Sequence, residues 1–338
     1  MAKPKRIRGL NCNAPASTGI KLVLAARFKE MQDWRDAALD WSDPEGVHSM
    51  RVSSRRLRSA LRDFTPHLHK RPLTSAGKKL KRVADTLGAV RDVDVALMTL
   101  AEIRKEAPTA LVDGLAEFIH AREALREQAR EQLKAVLEKD LSQLDTQFVA
   151  ALERAAVPRG PTKRNATPQP ELTFEAMARK VILDRLREFE KASAGLFKPL
   201  DVEALHDMRI AVKRLRYAIE LFQKCWPRLT SGFAERAAHI QTALGDLHDC
   251  DVWIQNLGKH INRARKQKQE QQVAALVWLL GHLIKLRTKH LRRALDRWRE
   301  WETHDASGRL RAILAVPEEP KAEIPAVPVE TSEGSATA

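Results

Sequence analysis

The residues with the clearest chemical potential are cations that recur at helical spacing in two stretches of the chain. Residues 43–64 read DPEGVHSMRVSSRRLRSALRDF, and residues 201–222 read DVEALHDMRIAVKRLRYAIELF. At an offset of 158 the two stretches share ten identical residues in 22 positions. In each stretch a histidine is followed by cations at intervals of three and four residues, which places them on one side of an α-helix. We refer to these stretches as the first and second motif.

Each motif carries cations on one stripe and apolar residues on the opposite side. No acidic residue lies between Arg51 and Arg62, so the like charges along this stripe repel one another without local compensation. Arginine binds phosphate oxygens through two parallel hydrogen bonds. The repeated stripe therefore favours a site for a multiply charged anion over the alternative, a solvent-exposed basic face. The candidate binding residues are His48, Arg51, Arg55, Arg56, Arg58 and Arg62 in the first motif, and His206, Arg209, Lys213, Arg214 and Arg216 in the second.

A second pair of related segments supports an internal duplication. Residues 87–95 read LGAVRDVDV and residues 244–252 read LGDLHDCDV, at an offset of 157. Their shared aspartates could cap a helix, hold arginines of the basic stripes or bind a metal. We favour a structural role because no third ligand has suitable spacing in both copies. Upstream of these segments, Arg82 in the first copy and His239 in the second could extend the basic surface.

The composition indicates an anionic partner. With 59 Lys and Arg against 44 Asp and Glu, the formal net charge is +15, which suits nucleic acid, a membrane surface or an inorganic polyanion. The longest apolar run, residues 273–284, is too short and interrupted to span a bilayer. The N-terminus does not resemble a signal peptide. Three scattered cysteines without a CxxC pair indicate neither a zinc ribbon nor a disulfide framework, so we expect a soluble protein of the reducing cytoplasm.

The chain is predicted to be all-α, because helix-forming residues dominate and no window alternates with period two. The predicted helices span 21–41, 43–65, 74–107, 110–153, 172–194, 201–225, 231–259 and 273–303. We divide the chain into a flexible N-terminus (1–19), a first helical repeat (20–156), a proline-rich linker (157–171), a second repeat (172–305) and a disordered acidic tail (316–338). Two four-helix bundles related by an internal pseudo-two-fold axis, with both motifs around one basic central cavity, are the expected architecture.

The strings VHSMRVSSRRLRSALRDF and LHDMRIAVKRLRYAIELF, each followed by an LG-x-x-x-D-x-D-V block, resemble the CHAD domain, the conserved-histidine α-helical domain. The resemblance covers roughly residues 20–305. It implies two four-helix bundles around a basic cavity, binding of inorganic polyphosphate and association with polyphosphate granules. Two positions depart from the repeated pattern: Lys213 replaces one arginine, and His248 stands where the first copy has Arg91. Relatives often carry a fused triphosphate-processing domain, for which this chain has no room.

The sequence therefore predicts a non-catalytic protein that binds polyphosphate and needs neither a metal nor a cofactor, located in the cytoplasm at polyphosphate granules. One alternative is nucleic-acid binding, although no aromatic residue interrupts the basic stripes to stack on bases. Another is a metal-dependent phosphohydrolase, suggested by the His-Asp pairs at 206–207 and 248–249. The first copy lacks these pairs, and no Gly-rich phosphate loop is present.

Overall fold

The computed structural model describes residues 5–157, 171–227 and 230–315, and these residues are helical apart from short connections. The only β-type pairing among them is an isolated bridge between Pro15 and Thr173. The helices are α1 (Ala16–Gln32), α2 (Arg35–Leu39), α3 (Pro44–Phe64), α4 (Lys70–Lys105), α5 (Val112–Val136), α6 (Ser142–Ala155), α7 (Phe174–Ala192), α8 (Val202–Phe222), α9 (Glu235–Lys266), α10 (Glu270–Thr303) and α11 (Ala306–Ala315). The all-α prediction is confirmed. None of the described helices is long and apolar enough to cross a membrane.

The two motifs form α3 and α8, and both helices begin at an aspartate cap. The Asp43 carboxylate accepts a hydrogen bond from the backbone N–H of Glu45, and Pro44 occupies the first helical position. The Asp201 carboxylate accepts from the N–H of Ala204 in the same way. An N-cap oxygen compensates one of the unpaired donors at a helix start. Each motif thus begins its helix at an equivalent position and keeps the two basic stripes in the same helical register.

The repeated LG segments lie inside two long helices, α4 in the first copy and α9 in the second. Both helices run unbroken through their glycines, Gly88 and Gly245. α9 continues to Lys266, beyond the predicted end at residue 259, because no proline interrupts this stretch. A left-handed residue, Lys268, with a φ of 57°, then reverses the chain into α10. The structure also adds α11, which the sequence did not predict.

Two apolar clusters hold the helices together, and each draws residues from both copies. In the larger cluster Phe64 of α3 lies 6.0 Å from Phe222 of α8 between ring centroids, and Phe174 of α7 packs against both. The smaller cluster joins the end of α4 and the start of α5 to the end of α9 and the start of α10, through residues such as Phe118 and Leu257. Since neither cluster belongs to one copy alone, the two basic helices are fixed relative to each other.

The N-terminal segment departs from two sequence-based expectations. Residues 5–15 do not fit the expected flexible N-terminus, because Ile7 and Leu10 are buried. The backbone N–H of Phe174 also donates to the carbonyl of Ala14 at 2.9 Å. Cys12 and Cys225 form a disulfide, so the expectation that the chain lacks one was wrong.

The disulfide joins residues 213 positions apart, a proximity that only tertiary packing creates. Because disulfides are rare in reducing compartments, the cysteines do not indicate a reducing cytoplasm. The third cysteine, Cys250, is free and buried. The predicted linker (157–171) and acidic tail (316–338) fall outside the described residues except at the linker's two ends.

Candidate anion-binding site

The basic stripes of α3 and α8 converge where the two helices pack together. Lys213 of α8 shows this most clearly. Burial, together with the positive charges of neighbouring arginines, lowers its pKa to about 7. These neighbours come from both motifs: Arg209, Arg55, Arg62 and Arg214. Arg55 is the counterpart of Lys213 at the 158-residue offset, so equivalent positions of the two motifs meet.

Two arginines and two aspartates form the ordered centre of this meeting point. Arg51 Nη2 donates to Asp92 Oδ1 at 2.9 Å, an ion pair between α3 and α4. Burial lowers the pKa of Arg209 on α8, and the carboxylates of Asp249 and Asp92 oppose that shift. Burial raises the pKa of Asp249, with Arg209 opposing and Asp92 adding to the rise. Of the roles left open for these aspartates, holding arginines of the stripe is the one that Asp92 performs.

The other two repeated aspartates face away from this centre. Asp251 accepts a hydrogen bond from Arg287 Nε of α10 at 2.5 Å. Burial raises the pKa of Asp94, and the positive charges of Arg130 and Arg126 on α5 oppose this rise. A separation of two residues turns a side chain by about 200° around a helix. The first aspartate of each block therefore faces the motif helices, while the second anchors the neighbouring long helix.

Three histidines complete the centre, and they favour the neutral form. Burial lowers the pKa of His48, with Arg91 as the next contribution. The rings of His206 and His248 lie 4.8 Å apart between centroids. Burial, followed by Arg209 and His206, lowers the pKa of His248 to about 4. Neutral imidazoles can donate a hydrogen bond to an anion without adding further repulsion.

We define the basic cluster by these convergent residues: His48, Arg51, Arg55, Arg91, His206, Arg209, Lys213 and His248. Its cations outnumber the nearby carboxylates of Asp92 and Asp249. Arg91 and His248 were not among the binding residues predicted from the sequence. The repeat could have identified them, because they occupy equivalent positions one residue before Asp92 and Asp249.

Arg56 and Arg214 belong to a different arrangement. Arg56 Nη1 lies 3.2 Å from Glu30 Oε1, and Arg27 lies 2.5 Å from the other oxygen of the same carboxylate. All three side chains are buried. Arg56 is therefore a structural residue, because five positions beyond Arg51 it points about 140° away around α3.

The second copy repeats this triad with Arg185, Glu188 and Arg214 at the same offset of 158. Arg185 pairs with Glu188, and Arg214 Nη1 lies 3.5 Å from Glu188 Oε2. Arg214 nevertheless contributes to the lowered pKa of Lys213, as does Arg62. These two arginines therefore border the basic cluster.

Four other predicted site residues are not brought into the centre. Arg216 is buried and donates to Glu220 at 2.7 Å, and Arg82 forms two hydrogen bonds to Asp140 at 2.6 and 2.7 Å. His239 lies near Glu300 instead. Arg297 is the main cause of the lowered pKa of Glu300, and His239 adds a smaller lowering. The remaining residue, Arg58, is exposed on α3. Each lies on a helix that supplies residues to the basic cluster, but its side chain points away from the cluster.

The described part of the chain contains no cluster of side chains that could hold a metal ion. No three His, Cys, Asp or Glu side chains gather there closely enough to hold an ion. The His206–His248 contact is thus a pair of rings without a third ligand of these types among the described residues.

Known proteins share both the sequence pattern and the fold. A family model described as the CHAD domain matches residues 22–258. The uncharacterized proteins Rv2226 and MT2285, from two strains of Mycobacterium tuberculosis, are 27% and 26% identical over 250 residues. Each alignment covers 72% of this chain and 45% of the relative, so the chain spans less than half the length of these relatives.

Two solved structures have a similar fold. The crystal structure of the CHAD domain from the plant Ricinus communis superposes with a TM-score of 0.68 at 23% identity, covering 88% of this chain and 95% of that one. PptA from Streptomyces chartreusis superposes with a TM-score of 0.63 at 15% identity, covering 85% and 100%. At these identities the comparisons establish the fold alone.

Proposed function

Because the chain belongs to the CHAD domain family, we propose that it binds inorganic polyphosphate through the basic cluster and does not cleave it. The observation that supports this most directly is the position of Lys213, which is held among four arginines. Among the described residues no carboxylate pairs with its ammonium group. Such a site is electrostatically unfavourable when empty and becomes favourable when an anion with several charges enters.

The spacing of the cations suits a chain of phosphates better than one small anion. Arg51 and Arg55 lie one turn apart on α3, and Arg209 and Lys213 lie one turn apart on α8. Side chains so placed are about 5–6 Å apart at their Cβ atoms. Successive phosphoryl groups of a linear polymer can therefore contact both rows, whereas a single orthophosphate can reach only one part of the cluster.

We further propose that the two copies are related by a pseudo-two-fold axis and enclose a basic cavity between them. Counterpart residues of the two copies approach one another in several places. Phe64 lies against Phe222, and Asp92 acts on Asp249. Gly114 also packs so closely on its counterpart Gln271 that a methyl group there would lie 2.7 Å from the Gln271 carbonyl oxygen. An axis between the copies brings equivalent positions together in this way.

The absence of catalysis and a location at polyphosphate granules are parts of the same proposal. A phosphohydrolase would release orthophosphate from polyphosphate when divalent metal is added, and we expect no such release. No observation favours nucleic acid as the ligand. Competition between DNA and polyphosphate at equal phosphate concentration separates the two, and we expect polyphosphate to displace DNA.

The decisive test compares charge reversal inside and outside the basic cluster. Arg51→Glu/Arg209→Glu should weaken binding of labelled polyphosphate more than about hundredfold, because each buried cationic contact contributes several kcal/mol. Affinity of the unchanged protein should also fall steeply with salt. The matched control is Arg187→Glu/Arg299→Glu, which changes the net charge equally at two exposed positions outside the cluster.

The control variant should retain polyphosphate affinity within a few-fold. Arg51→Gln/Arg209→Gln provides a milder form of the test should the glutamates disturb folding, which circular dichroism would reveal. Equal affinity of the folded cluster variants and the control would refute the proposed site.

A further inference from the structure

A second group of cations lies outside both motifs, between α5 and α9. Arg122 Nη2 of α5 lies 3.2 Å from His260 Nε2 of α9. The Arg122 guanidinium also lies 4.9 Å from the ring centroid of Phe118 and 5.4 Å from that of Trp253. No carboxylate pairs with Arg122 among the described residues. Burial is what lowers its pKa.

His260 contributes a neutral imidazole ring between two cations of this group. Burial lowers its pKa, and Arg122 and then Arg263 lower it further. Its ring also packs edge-on against Phe118, with 5.2 Å between centroids. An arginine, a histidine and a further arginine therefore meet without an acidic partner. Protein surfaces normally neutralise such a group, so the arrangement suits an anion supplied from outside.

The aromatic rings fix the direction in which Arg122 can bind. Phe118 and Trp253 lie within cation–π distance of the guanidinium. Arginine has five N–H donors in one plane, and the contact with His260 uses only one of them. The other donors at the edge of the guanidinium are positioned to bind oxygens of a phosphate group.

The helical register connects this group to the basic cluster. On α9, Asp249, Trp253 and His260 follow one another at intervals of four and seven residues, which places them on one face. Asp249 lies beside Arg209 of the basic cluster. At about 1.5 Å rise per residue, His260 lies about 16 Å further along that face. A long polyanion bound at the basic cluster can therefore follow α9 to Arg122.

We propose that Arg122 and His260 form a second phosphate-binding point, which contacts only polyphosphate long enough to extend from the basic cluster along α9. This proposal rests on the proposed function and adds a chain-length preference and a direction. The counterpart positions at the offset of 157 carry Ile103 and Leu279, both part of the smaller apolar cluster. The second phosphate-binding point therefore exists on one side of the molecule alone. A long chain bound at the basic cluster extends toward that side.

The test uses Arg122→Gln with long-chain polyphosphate and with tripolyphosphate. Loss of one charged phosphate contact should lower long-chain affinity about tenfold and leave tripolyphosphate affinity unchanged. The dependence of log affinity on log salt should become shallower by roughly one contact. The matched control is Arg126→Gln, one turn along α5, where the guanidinium already has a carboxylate partner in Glu127 at 3.4 Å.

The outcomes separate the two proposals. Equal long-chain affinity of Arg122→Gln and Arg126→Gln would overturn the second binding point and leave the basic cluster intact. A parallel loss for both ligand lengths would also overturn it, because the residue would then act at the cluster itself. If the unchanged protein binds no polyphosphate at all, the proposed function and this extension both fail. His260→Gln should reproduce the length-dependent loss at smaller magnitude, and thermal unfolding checks that each variant is folded.

Discussion

At the scale of single residues, Lys213 links stability to binding. It occupies the position where the first motif has an arginine, and it lies among arginines from both motifs. Burial and this neighbourhood together lower its pKa from 10.5 to about 7. The fold therefore disfavours the charged form of Lys213, which is only partly protonated at neutral pH. In the proposed function this residue supports ligand binding rather than folding.

Lys213→Met should raise the stability of the free protein by about 1 kcal/mol, since an apolar side chain removes a buried like-charge interaction. The same variant should bind polyphosphate less tightly. Chemical denaturation and a binding titration measure the two effects. Lys180→Met, at an exposed position of α7, is the control and should change neither. A Lys213 variant that loses both stability and affinity would contradict this account.

The stabilisation by Lys213→Met should also depend on pH. Because the folded pKa of Lys213 is lower than that of the unfolded chain, the unfolded state binds more protons between pH 7 and 10.5. The penalty from Lys213 is thus fully present below about pH 7 and is relieved as the pH rises toward 10.5. The stability difference between Lys213→Met and the unchanged protein should therefore shrink at alkaline pH. A constant difference would mean that the ammonium is not disfavoured in the fold.

At the scale of elements, each motif helix packs closely at its start against the segment that precedes it. Both copies place one glycine in this contact, but on opposite partners. A methyl group on Gly46 of α3 would overlap the backbone carbonyl of Ala37 in α2. In the second copy the equivalent positions are reversed, and a methyl group on Gly195 would lie 2.6 Å from the carbonyl oxygen of Ala204. Each contact thus has one glycine and one alanine, which lets the backbones approach at the start of each motif helix.

Gly46→Ala should destabilise the protein by about 1–3 kcal/mol through overpacking. Adding Ala37→Gly recreates the residue pair of the second copy but leaves the overlapping carbonyl in place, so we expect the costs of the two substitutions to add. Urea unfolding of the two single variants and the double variant measures the coupling. Recovery of most of the loss in the double variant would contradict this expectation.

At the scale of the whole molecule, the N-terminal segment is fastened to the end of the second motif helix. Cys12 and Cys225 are bonded across a sequence separation of 213 residues. Lys224, beside this bond, donates to the carbonyl of Leu10. A crosslink across so long a loop restricts the unfolded chain strongly. The segment thus contributes to global stability at the end of α8, the helix that carries three of the eight residues of the basic cluster.

Cys12→Ser should lower the free energy of unfolding by about 2–5 kcal/mol. Reductant should lower the melting temperature of the unchanged protein and leave that of the variant unaffected. The variant is therefore the control for effects of reductant other than cleavage of the disulfide. Thiol labelling of the denatured, unreduced protein should detect Cys250 alone. Three reactive thiols and a melting temperature insensitive to reductant would show that the bond does not form.

Much of this protein follows from local periodicity in its sequence. The composition and spacing predicted an all-helical chain and the common stripe of Arg51 and Arg55, because residues three and four apart share a helix face wherever the helix packs. The recurrence of Arg209 and Lys213 at one offset predicted a second, equivalent helix. These properties need only the helical repeat and the chemistry of the side chains.

Long-range packing decided the rest. Only the fold shows that Arg56 faces Glu30 rather than a ligand, that His248 packs against His206, and that Cys12 reaches Cys225. Nothing in the sequence indicated Arg122, because its counterpart is apolar and two of its partners, Trp253 and His260, lie on another helix. A helical wheel fixes the direction of a side chain relative to its own axis. Which carboxylate, ring or cation occupies that direction depends on neighbours distant in sequence, and their positions are set by burial of the two shared apolar clusters.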